Sequence, residues 1–432
     1  MITVAKLTDA LHSLFTSTAD EFASATGFVQ RRRLWTGSAF AQTLVFGWLD
    51  RPDASLERLA AYRDSSRQAL AQRFTPEAVS FLGRLLAHAL ELAVSARPVA
   101  ISLLRRFQGV YAEDCTTISL PDSCALDFPG CGGSTSADGR AAVKLYFRYE
   151  LAGGAITEVS SQAGRQPDVT AGQMHAALPA GALRLADLGF FDLQLLAGYT
   201  EQGVHWISKL PAHAKVRVAD EEPVGIATLL ANWPSDHIDM PVRIGAKGEL
   251  TCRLLARRCP EEVTTRRRDK LACAARKKGR KVSARQQEMA GWTLVVTDLP
   301  REKLSFEEAW QLYRARWQVE LLFKRMKSSG GLDQTAGKLR ERVLCELLAK
   351  LLGQVAANWM LLLRGGPLEE FSVAKGQKVI QETARLLRQS VAELRILRWV
   401  LAQLASELGR LRPSKRKRPT TRDRLLKPSF AA

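Results

Sequence analysis

The chain has 432 residues, of which 46% are hydrophobic and 25% are charged. This balance excludes a wholly disordered protein, and the length allows several domains with their own hydrophobic cores. Lys and Arg number 63 against 44 Asp and Glu, which gives a formal net charge of +19. A basic surplus of this size indicates a polyanionic partner, with nucleic acid first and an anionic membrane surface second.

Apolar stretches, the first residues and the spacing of Cys and His argue against three classes of protein: membrane-spanning, secreted and zinc-binding proteins. No uninterrupted apolar stretch is long enough to span a bilayer, and residues 348–363, which come nearest, contain polar side chains and indicate a buried helix. The first residues lack the continuous apolar core of a secretory signal. The seven cysteines include no Cys-x-x-Cys pair, and the six histidines no pair at helical spacing. We therefore expect a cytoplasmic protein without a disulfide framework.

Residues 1–105 are predicted to be helical. Apolar residues recur at helical spacing between residues 79 and 90, and Thr75 followed by Pro76 is typical of a helix start. Residues 56–62 and 67–74 could form two short helices in a helix-turn-helix-like layout. A plain helical bundle is the alternative.

The pattern then changes to that of a mixed α/β domain. Strands are predicted at residues 110–120 and 183–188, and a hairpin is predicted at residues 143–151 and 156–160. A short helix around residues 171–178 precedes the last of these strands. An order of three strands, a helix and a fourth strand is typical of a mixed α/β fold.

Residues 201–299 are again strand-like, and they contain a strongly basic run. The predicted strands are residues 204–210, 242–244, 250–255 and 292–298. Residues 266–285 contain ten Lys or Arg and only one acid, Asp269, with few large apolar side chains. This run is predicted to be a solvated loop or extended hairpin that becomes ordered on a polyanion. A loop that only aids solubility is the alternative.

Helices are predicted again from residue 305 onward. The stretch 374–411 has helical periodicity, and residues 415–427 form a basic tail. The tail either contacts a polyanion or is a disordered end with no dedicated target.

Residues 313–327 carry the most informative pattern. On one helix at about 100° per residue, Tyr313, Arg316 and Lys327 lie within about 40° of Glu320, forming a narrow polar stripe. Apolar side chains form a second stripe on the opposite side. A carboxylate beside cations and a phenol suits a metal ligand next to a phosphate. The alternative is an ordinary amphipathic helix with an Arg316–Glu320 ion pair.

A metal used in phosphoryl transfer needs several converging carboxylates. Asp114 lies within the predicted strand 110–120, and Asp187 closes the strand that begins at Leu183. An Asp in an apolar strand is costly unless it is paired or binds a metal. The alternative for Asp187 is a turn or cap, and strand alternation should turn Glu113 away from the side to which Asp114 points.

These residues resemble a known family. Tyr313, Arg316, Glu320 and Lys327 match the Y-(2)-R-(3)-E-(6)-K signature of the insertion sequence 4 family of DDE transposases at every spacing. Residues 114–121, 186–191 and 292–300 resemble the family's first-aspartate strand, second-aspartate strand and the strand before the glutamate helix. The resemblance covers roughly residues 105–365.

The resemblance implies a ribonuclease H-like mixed-sheet catalytic core of the α/β class, formed by residues 106–200 and 300–365. A β-rich insertion domain with the basic loop would occupy residues 201–299. An N-terminal helical DNA-binding region would occupy residues 1–105, and a C-terminal helical region with the basic tail residues 366–432.

The resemblance also implies a reaction. Asp114, Asp187 and Glu320 would bind two Mg²⁺ ions, with Mn²⁺ as a substitute. The enzyme would nick the inverted-repeat ends of its own element in double-stranded DNA, and the freed 3′-hydroxyl would attack target DNA. It would act as a homodimer or higher synapse, without a membrane, in a bacterial cytoplasm near the nucleoid. The predicted DNA-binding side chains are Tyr313, Arg316, Lys324, Lys327, Arg266, Arg267, Arg268, Lys277, Lys278, Arg280 and Lys281.

Two other functions fit the same residues. A catalytically silent DNA-binding protein derived from a transposase would bind DNA without metal-dependent nicking. A structure-selective nuclease of the same fold would cut DNA without joining it. Nicking and strand-transfer assays separate these functions.

Overall fold

The computed structural model describes residues 3–31, 33–92, 101–131, 141–173, 177–277, 279–364, 372–411 and 420–427. The chain divides into two compact units. The first comprises Met1–Ala100, Asp114–Gln166 and Gln318–Arg418, and the second comprises Ile101–Glu113, Pro167–Trp317 and Pro419–Ala432. Within the described ranges, no helix has the length and apolar character needed to cross a membrane.

The first unit is built mainly of helices. They are α1 (Val4–Phe15), α2 (Ser17–Ala25), α3 (Gly37–Asp50), α4 (Leu56–Ala61), α5 (Arg67–Ala71), α6 (Pro76–Glu91), α13 (Trp317–Ser328), α14 (Arg340–Leu362), α15 (Val373–Ser390) and α16 (Leu394–Arg410). Helix α14 is buried along almost its whole length, including the polar side chains of Glu346, Lys350, Gln354 and Asn358, so it forms the centre of this unit. It packs against α3 and α6, while α15 packs against α3 and α16.

The helical prediction for the N-terminal region is confirmed where the structure describes it. Helix α6 begins at Pro76, and the Thr75 side chain accepts a hydrogen bond from the backbone N–H of Ala78. The two short helices predicted before it are α4 and α5. Residues 415–418 of the predicted basic tail lie outside the described residues. Farther along the tail, Thr421–Leu426 forms helix α17 instead of a disordered end, and α17 packs against α12 (Phe306–Ala315) within the second unit.

The predicted hairpin is β2 (Ala142–Glu150) paired antiparallel with β3 (Ala155–Ala163). The residues of β2 do not alternate between buried and exposed, because Tyr146 and Arg148 are buried as well as Leu145 and Phe147. Arg148 forms an ion pair with Glu158 at 2.8 Å, which makes its burial tolerable. Both faces of the hairpin are therefore covered in the first unit.

The second unit contains a mixed sheet. Its strand order is the start of β1 (Val110–Ser119), β4 (Leu183–Ala186), β5 (His205–Ser208), β10 (Trp292–Thr297), β9 (Leu250–Arg258), β8 (His237–Ile244), β6 (Lys215–Arg217) and β7 (Val224–Gly225). Strands β1, β4 and β5 are parallel, and the remaining pairings are antiparallel. Trp206, Leu254 and Val296 belong to the core of this unit.

Helices accompany this sheet. They are α7 (Asp168–Gln173), α8 (Leu193–Glu201), α9 (Ile226–Asn232), α10 (Glu261–Lys277), α11 (Ala284–Ala290), α12 and α17. The strands predicted between residues 204 and 298 are confirmed as β5, β8, β9 and β10, although β8 begins earlier than expected. The protein is a mixed α/β structure.

The prediction of a basic loop at residues 266–285 is wrong for most of its length. Helix α10 extends to Lys277, and α11 begins at Ala284. Arg, Lys and Ala are good helix formers, and this outweighs the low apolar content. Two acids lie in the first turn of α10 and two cations in its last turn, where they complement the helix dipole.

The single helix predicted for residues 313–327 is also wrong, because the segment forms two consecutive helices. Helix α12 ends at Ala315 and α13 begins at Trp317. The amide of Arg316 bonds to the carbonyl of Tyr313 at 3.2 Å, an i to i−3 bond that tightens the turn. A uniform 100° projection therefore does not apply across Arg316. The predicted apolar stripe is confirmed as buried, namely Leu312, Ala315, Val319, Leu322 and Met326.

Candidate active site

Asp187 lies where strand β4 ends in the second unit. It begins a short 3-10 helix, Leu188–Phe190, and its Oδ1 accepts a hydrogen bond from the Leu188 N–H at 2.7 Å. The Tyr313 hydroxyl donates to the same oxygen at 3.3 Å, and the Arg316 guanidinium lies 3.9 Å from Oδ2. Asp187 is thus both a cap and part of a polar cluster. Its side chain is 47% exposed and open to a ligand.

Tyr313 is held in place by burial on helix α12. Its ring stacks on Trp310 with a centroid distance of 6.2 Å and an interplanar angle of 18°. Burial raises the pKa of Tyr313 well above its usual range, and the negative charge of Asp187 adds to the effect. The hydroxyl therefore stays protonated and remains a donor to Asp187. Tyr313 and Arg316 are both largely buried, which the prediction of an exposed polar face did not anticipate.

Lys209 adjoins this cluster, and the sequence reasoning missed it. It follows β5, and its ammonium lies 5.3 Å from the ring centroid of Trp310 and 5.4 Å from that of Tyr313. Burial and, to a smaller extent, the charge of Arg267 lower the pKa of Lys209 to about 8, and the charge of Asp187 opposes the change. The available signal was a lysine within the apolar strand-like segment 204–210, where an unpaired charge is costly.

Glu113, the residue before Asp114, points into the interior of the second unit. It is fully buried and accepts a hydrogen bond from Arg184 Nε at 2.7 Å. The Arg184 guanidinium lies 4.9 Å from the ring centroid of Tyr199 and 5.7 Å from that of Phe190. This ion pair links β1 to β4 beneath two aromatic rings.

Asp114 lies at the point where β1 passes from the second unit to the first. It is half-buried, and its Oδ1 accepts a hydrogen bond from the N–H of Cys115 at 2.8 Å. The strand predicted around it is confirmed.

Glu320 lies in the first turn of α13 and is half-buried. Farther along this helix, the Lys327 ammonium donates to the backbone carbonyl of Thr117 on β1 at 3.0 Å. Phe323 packs edge-on against Phe147 of β2 at 5.1 Å. Helix α13 therefore lies against β1 and β2 within the first unit, and Lys324 on the same helix is exposed.

The predicted site residues are divided between the units. Asp187, Tyr313 and Arg316 come together in the second, while Asp114, Glu320 and Lys327 belong to the first. Across the described ranges, no three or more His, Cys, Asp or Glu side chains form a group that could hold a metal ion. The convergence of Asp114, Asp187 and Glu320 stays a prediction.

The predicted DNA-binding cations on α10 and in the segment after it differ in their surroundings. Arg267 donates to the Trp292 carbonyl at 2.9 Å and to the Thr293 hydroxyl at 3.0 Å, so it attaches the helix to the sheet. Arg268 donates to the Gln287 carbonyl at 3.3 Å. The exposed cations are Arg266, Lys277, Arg280 and Lys281, and Lys278 lies outside the described residues.

Comparison with known proteins identifies relatives over most of the chain. It is 27% identical over 418 residues to the transposase for insertion sequence element IS231F of Bacillus thuringiensis subsp. israelensis, covering 89% of this chain and 87% of that protein. It is 25% identical over 368 residues to the transposase for insertion sequence element IS1151 of Clostridium perfringens, covering 78% of this chain and 76% of that one.

A solved structure of the piggyBac transposase synaptic complex with hairpin DNA is similar at a TM-score of 0.45 and 10% identity, covering 95% of this chain and 86% of that one. A sequence model described as the transposase DDE domain matches residues 105–354. That match spans more than half of the chain. It covers nearly the same residues as the resemblance to DDE transposases seen in the sequence motifs, which extends over roughly residues 105–365. The chain therefore belongs to the transposase DDE domain family and is a DNA transposase.

Proposed function

We propose that this transposase cuts the inverted-repeat ends of its own insertion sequence and joins them to target DNA, with Asp114, Asp187 and Glu320 as its metal ligands. The observation that carries the proposal is the placement of Asp187 at the carboxyl end of a parallel strand, with Tyr313 and Arg316 of the family signature at its carboxylate. The signature spacing supports the insertion sequence 4 family, and the parallel strands β1, β4 and β5 support a ribonuclease H-like core.

Membership of the DDE family implies dependence on a divalent metal. The donor set fits such an ion, because carboxylate oxygens are the ligands that hard cations prefer. Asp187 is also accessible at 47% exposure, and the Tyr313 hydroxyl orients its carboxylate. We propose two Mg²⁺ ions, with Mn²⁺ as a substitute, which when bound would supply Lewis-acid stabilisation of the attacking and leaving oxygens.

The protein side chains would hold and orient the DNA. Arg316 is largely buried and lies beside Asp187, where a guanidinium can fork onto a phosphate. The exposed Lys324 and the exposed cations of α10 suit contacts with the DNA backbone. Because such contacts release counterions, DNA binding should weaken steeply as salt is raised.

The proposed reaction has two steps. Water hydrolyses a phosphodiester at the element end and leaves a 3′-hydroxyl and a 5′-phosphate. The 3′-hydroxyl then attacks a phosphodiester of target DNA, forming a new bond and releasing a target 3′-hydroxyl, with no covalent link to protein. Two element ends must be held together for this chemistry, so we propose a homodimer or higher synapse on DNA.

The test uses duplex DNA copied from the sequence that flanks the gene in its host. Asp114→Asn, Asp187→Asn and Glu320→Gln should each lose cleavage while retaining DNA binding, and chelation of divalent metal should have the same effect. Asp122→Asn, which alters an exposed acid of the same unit as Asp114, is the matched control and should cut normally. Full activity in any of the three variants would remove that residue from the site.

The products distinguish the competing functions. Joined products are expected from the wild-type protein in the presence of Mg²⁺. Cutting without joining would favour the structure-selective nuclease, and binding without cutting would favour the silent derivative.

A further inference from the structure

Lys209 and Asp187 occupy equivalent positions on neighbouring parallel strands. Strands β4 and β5 pair with Leu183 opposite His205 and Leu185 opposite Ile207. Continuing this register by two residues brings Asp187 opposite Lys209. The carboxyl ends of parallel strands meet at one edge of the sheet, which is where ligands bind in α/β folds. Lys209 therefore lies at the same edge as the predicted metal ligand Asp187.

The ammonium of Lys209 is held by aromatic rings and lacks an anionic partner. Its Nζ faces the rings of Trp310 and Tyr313 at 5.3 and 5.4 Å from their centroids. In the described part of the chain, no carboxylate oxygen lies within 4.0 Å of it, and it donates no hydrogen bond to a protein acceptor. A cation withdrawn from water in this way is stabilised by an arriving anion.

The charges around Lys209 favour an anionic ligand. Arg316 lies 3.9 Å from Asp187 on one side, and both Arg267 and Arg316 act electrostatically on Lys209. Asp187 is the nearby acid, and its Oδ1 already accepts bonds from Tyr313 and Leu188. The cluster thus has more cations than anions, and the family acts on a polyanion.

We propose that Lys209 binds a backbone phosphate of the DNA strand next to Asp187, as a substrate-binding residue of the active site. The proposal rests on the proposed function. The contacts with the two aromatic rings hold the ammonium at the edge of the sheet, so little side-chain entropy remains to be lost on binding.

The experiment compares Lys209→Met with wild type on the flanking-sequence duplex in Mg²⁺. Methionine is an unbranched side chain of similar length, and it removes the charge. Lys303→Met, which alters an exposed lysine of the same unit, is the matched control. Duplexes that carry one neutral methylphosphonate at each position around the mapped cleavage point are bound and cut in single-turnover assays, and thermal unfolding verifies that each variant is folded.

We expect the effects of Lys209→Met and of a methylphosphonate to be non-additive at one phosphate position of the duplex. Lys209→Met should reduce DNA binding or single-turnover cleavage about 10- to 100-fold, the range of one charge-assisted hydrogen bond. A methylphosphonate at the contacted phosphate should weaken wild type and Lys303→Met by a similar factor, and should have little further effect on Lys209→Met.

Additive losses at every position, or wild-type behaviour of a folded Lys209→Met, would overturn the inference while leaving the proposed function intact. If wild type, Asp187→Asn and Glu320→Gln all fail to cut, the proposed function and this inference fall together.

Discussion

The Lys327 ammonium lies 3.0 Å from the backbone carbonyl oxygen of Thr117. This bond fastens α13, which carries Glu320, to β1, which carries Asp114, within the first unit. The last residue of the family signature therefore has a structural role in addition to its predicted contact with DNA. One of its three donors is used on the protein, and the others can reach a phosphate.

Lys327→Met should lower both stability and cleavage. The loss of a charge-assisted hydrogen bond should cost about 1–2 kcal/mol, because the side chain is partly exposed. Chemical denaturation and a cleavage assay measure the two effects. Lys324→Met is the control, since Lys324 is exposed on the same helix and should leave the unfolding midpoint unchanged. Equal midpoints for both variants would show that the bond to Thr117 has no stabilising role.

Glu113→Gln should destabilise the protein strongly. Glu113 and Arg184 are 0% and 1% exposed, and removal of one charge leaves the other buried without its counter-charge. The cost of such a change is roughly 3–5 kcal/mol. The double variant Glu113→Leu with Arg184→Met leaves no unpaired buried charge and should therefore be less destabilised than Glu113→Gln, as measured by urea unfolding. A double variant worse than the sum of the single changes would contradict this reasoning.

Arg266→Ala and Arg267→Ala should separate DNA binding from stability. Arg267 bonds to Trp292 and Thr293, so its removal should detach α10 and lower the melting temperature. Arg266 is exposed, and its removal should leave the melting temperature unchanged. If Arg266 contacts a phosphate, the slope of the logarithm of the DNA-binding constant against the logarithm of salt concentration should become shallower by about one for Arg266→Ala. A lower melting temperature for Arg266→Ala, with an unchanged melting temperature for Arg267→Ala, would refute the assignment of Arg267 to stability and of Arg266 to DNA binding.

Tyr313→Phe should reduce cleavage and change the alkaline stability. The folded protein holds the Tyr313 proton above pH 10, where an unfolded tyrosine releases it, because the pKa is raised on folding. Tyr313 thus makes wild-type stability fall as pH rises beyond about 10. The phenylalanine variant should lose less stability over that interval in thermal unfolding, and a parallel loss in both proteins would contradict a protonated Tyr313.

The sequence was sufficient for features that depend on local chemistry. The strand around Asp114, the turn of Glu113 to the other face of that strand and the start of α6 at Pro76 follow from alternation and capping. Asp187 was located because an acid that closes an apolar strand is unusual. The match to the transposase DDE domain then confirms the coarser prediction of a DDE transposase.

Other features depend on contacts that no local pattern reveals. Lys209 is next to Asp187 only because β5 pairs with β4, and its aromatic neighbours come from a helix about a hundred residues later in the chain. The break at Arg316 results from one backbone bond to Tyr313 that periodicity cannot detect. Helix α10 was missed because its low apolar content was given more weight than its helix propensity.

Helix α10 buries only Thr264 among its described side chains, and Arg267 supplies its hydrogen bonds to the sheet. Most of its side chains therefore do not pack against the rest of the protein, and they can be substituted at little cost in stability. If the exposed cations of this helix bind DNA as proposed, substitutions there should change the affinity for DNA and its salt dependence without altering the proposed metal ligand Asp187. Variation along this helix would be a simple route to transposases of graded activity from one catalytic core.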